Sequence, residues 1–168
     1  VGLCEKGFAR ALEVLRQSAI DSENFLDWKG QRLTAETLRG EIDAEIARCG
    51  GTASHTITAP GVQGADPHQA GHGPIRAHEP IVIDIFPRVD RTGYHGDFTR
   101  TLVKGKAPEV VRNAFAAVYR AQQAAIEALL RMPALAPTRK PTRPADSFTA
   151  PGTDWASTST KRLVSARR

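Results

Sequence analysis

The segment IVIDIFPRVDRTGYHGDFTRT, residues 81–101, constrains the fold more than any other stretch of the chain. Apolar, β-branched residues precede RVDRTG, an alternating run follows it, and the middle is turn-like in composition. The pattern predicts an antiparallel hairpin. Period two puts Val82, Asp84 and Phe86 on one face of the first strand. A hairpin centred between Asp90 and Arg91 sets Asp84 opposite Asp97, with Cβ atoms about 4.5–5.5 Å apart. Two ionised carboxylates at that spacing repel, so one takes up a proton or a cation sits between them. A divalent ion that accepts oxygen ligands, such as Mn, Mg, Co or Zn, removes the conflict. An opposed aspartate pair is one way to bridge two ions about 3.5–4 Å apart. The competing reading makes Asp84 a solvated strand end and Asp97 a turn cap after Gly96, because charged strand residues usually face water.

The rest of the chain supplies helices and strands to cover that hairpin. Residues 5–20 predict a helix with Phe8, Leu12, Leu15 and Ala19 on one stripe. LTAETLRGEIDAEIARCGG predicts a second helix, capped by Thr34, with Leu38, Ile42 and Ile46 on one face and Gly50 or Gly51 as the stop. ASHTITA, 53–59, reads as a short strand, and the Gly-rich run 61–73 as a loop. Strands are expected over 79–86 and 96–103. A helix is expected over 107–130, with Pro108 in its first turn and Val111, Phe115, Val118, Gln122, Ile126 and Leu129 along its stripe. The fold class is therefore α/β (α+β). His68 and His72 sit on the loop that runs beside the Asp84 strand, where an imidazole could donate to a carbonyl or move a proton.

Charge divides the 168 residues unevenly. From Arg131 on, eight Lys and Arg face two Asp, a net +6, which leaves −1 for residues 1–130. Five of the 11 prolines also lie in that last part. The expected organisation is a domain over 1–130 and a disordered, basic, Pro-rich tail over 131–168. The tail alone speaks for nucleic acid, which is not the expected partner. No apolar run reaches the roughly 20 residues of a membrane span, no segment resembles a signal peptide, and the two cysteines lack ligand spacing. A cytoplasmic location is expected. Val1 is not a methionine, which leaves open whether residues precede it.

ADPHQAGHGPI, IVIDIFPR, TGYHGDFTRTLVKG and the helix after them resemble the pita-bread metallopeptidases, the family of methionine aminopeptidase, prolidase and aminopeptidase P. The Xaa-Pro peptidase branch is the best match, over about residues 5–130. The resemblance implies hydrolysis of N-terminal peptide bonds by a dinuclear centre, commonly Mn, Co or Zn. Asp84 and Asp97 match its first two metal ligands. His68 matches the substrate-facing histidine of the preceding loop, with His72 as the fallback. The partner implied is a peptide substrate. The family's third ligand, a histidine in a later GHG motif, and its two later glutamates have no match here, since no His follows His95 and no Glu follows Glu127. Three of the five ligands are absent. The chain is expected to be an incomplete copy, the N-terminal half of the fold, without peptidase activity of its own and prone to self-association. The alternative is a non-catalytic module of the same fold that binds peptides or a partner.

The genetic code bears on the missing half. Shifting each codon of TAPGTDWASTSTKRLVSA, residues 149–166, back by one nucleotide permits HGTGHGLGLDVHEAPRLS. Trp155 must then give Leu and Ala156 must give Gly, whereas Thr153 and Thr160 permit His. The shifted string carries the GHG histidine and the VHEAP histidine that the resemblance requires. Residues from about Met132 onward are therefore expected to be a frameshifted product, following loss of one nucleotide or gain of two near codons 131–137.

Overall fold

The computed structural model describes residues 2–131 and 165–166. These fall into two units, 2–109 with 165–166, and 110–131. The expected disorder and frameshift of the tail otherwise fall outside the described residues.

The first unit opens with helix α1, Gly2–Gln17. It ends earlier than its apolar spacing suggests, and at its end the Ser18 hydroxyl and amide both donate to the Val14 carbonyl. Ala19, placed on the helical stripe by sequence, instead begins an exposed strand, β1 (Ala19–Ile20). With β2 (Leu26–Trp28) and β3 (Gln31–Arg32) it forms a small meander that the sequence pattern did not predict. Trp28 pairs with Gln31. The two residues between them, Lys29 and Gly30, have φ of 55° and 75°, the left-handed pair of a type I′ turn.

Helix α2, Ala35–Arg48, matches expectation. Thr34 caps it, its hydroxyl accepting the Thr37 amide at 3.2 Å, and the chain leaves it through Gly50 at φ 79°. Leu38, Ile42 and Ile46 of α2 pack with Val14 and Leu15 of α1 in one core. The helices approach closely at Gly7, where an added Cβ would lie 3.1–3.2 Å from Ile42 and Ile46. Arg10 of α1 reaches Glu41 of α2 at 2.6 Å on the rim of that contact.

Six further strands form a four-stranded main sheet and a separate two-stranded pair among the described residues. β4 (Gly51–Thr52) is short, and β5 (Ile57–Pro60) starts four residues later than its β-branched content suggests. His55, at φ 56°, breaks the extended run before it. A 3₁₀ turn over Gly61–Ala65 then opens the loop expected to be irregular. β6 (Pro80–Ile85) alternates as predicted, with Ile81, Ile83 and Ile85 fully buried and Val82 and Asp84 half-buried on the other face. After β7 (Arg88–Val89) and β8 (Phe98–Lys104), the chain makes helix α3 (Glu109–Arg131). The main sheet runs β5-β6-β8-β9, where β9 is Ser165–Ala166 and lies parallel to the end of β8. β4 pairs with β7 apart from it.

The hairpin turns one residue later than its composition suggests. Asp84 pairs with Thr99, and the same register continues through Arg88 opposite His95. Gly93, at φ 74°, closes the turn by donating to the Val89 carbonyl at 2.7 Å. Pro87 has no N–H to give the ladder, which is why β6 and β7 are separate strands.

Among the described residues the second unit is helix α3 from Val110 onward. None of its residues is buried. Phe115 and Tyr119 stack with ring centroids 6.3 Å apart. No described helix is long and apolar enough to cross a membrane.

Candidate functional site

Asp84 reaches its position because β6 alternates. The isoleucines face the core and every second residue faces out. Its Oδ1 accepts the Thr99 hydroxyl at 2.6 Å from the paired strand. Where the hairpin pattern placed a second acid, the structure has a hydroxyl donor. Asp97 lies just before β8, exposed, and the register carries it to the level of Phe86 rather than Asp84. The nearby buried thiol of Cys4 titrates above its ordinary range, through burial first, with the Asp97 charge adding to the effect.

Asp84 and Phe86 line an open cavity of about 740 Å³. His68 lines it as well, so the structure brings together two of the residues singled out from sequence. The loop that presents His68 is tied down along its length. Asp66 Oδ1 accepts the His68 amide at 2.9 Å. The Gln63 side chain bonds both ways to the His72 backbone, accepting its amide at 2.9 Å and donating to its carbonyl at 3.0 Å. From α2, Arg39 Nη1 donates to the carbonyls of Ala70 and Gly71, at 2.8 and 3.3 Å. The Glu36 carboxylate accepts the Gly73 amide at 3.1 Å. Gly71, at φ 87°, passes so close to the Thr58 carbonyl that no side chain fits there. The His68 side chain itself is 94% exposed, with its Nδ1 4.0 Å from Asp66 Oδ1. His72 does not line the cavity.

Three further cavity residues were missed in the sequence. Arg39 and Asp43 come from α2, and His55 from the approach to β5. Their spacing gives no signal, because only the β5–β6 pairing, Ile57 opposite Asp84, brings this segment beside the acid. The remaining histidines have other places. His78 Nδ1 accepts the Lys106 amide at 2.9 Å, and His95 bridges Arg88 at the hairpin tip. Buried Lys104, its pKa lowered by burial, donates to the Arg16 carbonyl at the end of α1.

No group of three His, Cys, Asp or Glu side chains able to hold a metal ion occurs among the described residues. Asp84 and Asp97 thus have no third such side chain grouped with them among the described residues.

Residues 2–135 match the profile of metallopeptidase family M24. A probable dipeptidase PepE of Mycobacterium tuberculosis is 32% identical over 102 residues, covering 58% of this chain and 26% of the relative. Its counterpart in Mycobacterium bovis matches equally. Among solved structures, the X-Pro aminopeptidase of Thermotoga maritima superposes with a TM-score of 0.59 at 21% identity, over 75% of this chain and 33% of its own. Prolidase from Pyrococcus furiosus gives 0.56 at 22%, over 73% and 32%. Dipeptidase PepE of Mycobacterium ulcerans gives 0.55 at 26%, over 73% and 31%. The fold is that of the pita-bread peptidases. The chain spans about a quarter of the length of the curated relatives and about a third of the solved ones.

Proposed function

The chain belongs to metallopeptidase family M24, and from that premise we propose that it carries the N-terminal share of an Xaa-Pro-type peptidase site, with Asp84 and Asp97 as metal-ligating carboxylates and His68 facing the substrate. The observation that carries this reading is the shared cavity of Asp84 and His68. In such a site a bound pair of Mn, Co or Zn ions would activate water for attack on a peptide carbonyl. This chain contributes an aspartate oriented by Thr99 and an imidazole held at the cavity mouth. Its described donor set does not fit a closed metal centre, so we assign no hydrolytic step to this polypeptide by itself. The working compartment is the cytoplasm.

The third metal ligand, the GHG histidine, is inferred to lie in the shifted frame of the tail at codon 153, with the two glutamates following downstream in the restored frame. Two forced residues and an unbroken permitted motif support that inference, and a true basic tail leaves the coincidence without cause. The nucleotide sequence tests it directly: a shifted frame that does not spell HGTGHGLGLDVHEAP ends the idea. Purified chain should show no turnover of Xaa-Pro peptides with added Mn or Co, and a frame-restored chain should show it. Steady turnover by the present chain, abolished by Asp97→Ala, would overturn this reading. The absence of three grouped ligands among the described residues equally favours a non-catalytic peptide-binding module. That reading predicts peptide binding unaffected by metal.

A further inference from the structure

A second cavity, of about 520 Å³, opens where Pro80 begins β6, at the opposite end of the strand from Asp84. It shares no lining residue with the first. Pro60, Pro74, Pro80 and Val62 give it apolar walls, and Val62 is 91% exposed. Arg76 and Glu79 bring a guanidinium and a carboxylate to the same space. Residues three apart on a straight strand face opposite sides. Here the left-handed backbone of His78, φ 67°, turns the chain between them, and both line the cavity.

Each of the two groups is held in place and left unused. The Arg76 backbone pairs with Phe25, and the next amide, of Ala77, donates to the Asn24 carbonyl at 2.7 Å. The Arg76 guanidinium lies 4.3 Å from the centre of the Phe25 ring, which Arg32 also approaches, at 4.2 Å. Arg32 is neutralised by Asp21 and Glu23. Arg76 makes no hydrogen bond or ion pair among the described residues, so its contact with the ring fixes the cation and spends none of its N–H donors. Glu79 is half-buried, and its Oε2 sits 2.5 Å from where a Cβ on Gly61 would lie, space that only glycine leaves. Its carboxylate likewise has no partner among the described residues, Arg76 included.

Two opposite charges that share a cavity without pairing are complementary to a molecule that carries both. Three residues of chain span about 10 Å at most, which keeps both charges within reach of one small ligand. We propose that this cavity binds a free α-amino acid with an apolar side chain. Its carboxylate takes the two-pronged hydrogen bonds that a guanidinium favours, its ammonium meets Glu79, and its side chain lies against Val62 and the prolines. Such a ligand also rests against Gln63, whose side chain ties the His68 loop through the backbone of His72. The site is independent of the peptide cavity and of the function proposed for it.

Calorimetric titration of the full 168-residue chain with L-leucine, with isocaproate, which lacks the amine, and with isoamylamine, which lacks the carboxylate, tests this. The expected result is saturable binding of leucine, with each analogue about tenfold weaker. Arg76→Gln should lower leucine to the affinity of isoamylamine, and Glu79→Gln to that of isocaproate. Leucine should shift the backbone amides of Gly61, Val62 and Arg76. Absence of saturable leucine binding, or equal affinity for all three compounds, overturns the proposal without any variant. Shifts confined to His55, His68 and Asp84 overturn it by placing the ligand in the first cavity. Leucine affinity unchanged in both variants overturns the assignment to Arg76 and Glu79.

Discussion

Thr99 orients Asp84 through one 2.6 Å hydrogen bond between paired strands. Thr99→Val keeps the β-branched shape and removes the donor. It should cost about 1 kcal/mol in urea unfolding, the usual worth of one such bond. Asp84→Asn retains the acceptor oxygen and should cost less. An unchanged midpoint for Thr99→Val would mean that water replaces the hydroxyl and that Asp84 is not held. At this scale the sequence was legible for residues whose place follows from their own strand or loop. Asp84 follows from period two along β6, and His68 from its place on the Gly-rich run. His55 was not legible, because its relation to Asp84 exists only through the pairing of β5 with β6. The partner of Asp84 was misjudged for a related reason. Gly93 closes the turn one residue later than the composition suggests, and a one-residue displacement of a hairpin centre moves every partner by two.

At the scale of elements, α2 acts as a bracket for the loop that carries His68. Glu36 and Arg39 lie on adjacent turns and hold the loop backbone by opposite ends, one through an amide and the other through carbonyls. The backbone N–H groups of Glu36 itself and of Gly73 hold the Glu36 carboxyl below the ordinary carboxylate value. A depressed folded pKa gives stabilisation that is present above the unfolded value, about 4.3, and is lost as pH falls through the folded value. Hydrogen-exchange protection of the Gly73 amide should therefore drop in acid before the core unfolds. Glu36→Gln should have low protection at neutral pH and little further loss on acidification. Equal acid sensitivity in the two proteins would assign the effect elsewhere. Elements were legible in proportion to their length. α2, β6 and α3 each repeat their period several times, and Thr34 marks one boundary by its cap. The β1–β3 meander has strands of two or three residues, too short for alternation to register, and its Lys29–Gly30 turn lacks the Asn or Asp that makes such turns conspicuous.

For the whole molecule, the comparisons give the fold, and the partial coverage fits an incomplete copy of it. Val110, Val118, Leu129 and Leu130 of α3 are 73%, 69%, 59% and 80% exposed. Apolar surface of this kind drives association, so sedimentation velocity across a concentration series should show reversible self-association. A single monomeric species at every concentration would count against it. The half-fold was legible because its two acids and its loop histidine lie within thirty residues of one another. The three remaining ligands that the resemblance implies were not, because no His follows His95 and no Glu follows Glu127. Among the described residues the buried hydrophobic core ends at Val103, and this bears on the frameshift proposed above. Translation completes every one of those core residues before the ribosome reaches codon 131, and N-terminal units generally fold first during synthesis. A slipped frame beyond that point, as proposed above, would remove catalytic ligands without touching that packing. Selection against such a lesion would then act through lost activity alone, with no added burden from a misfolded core.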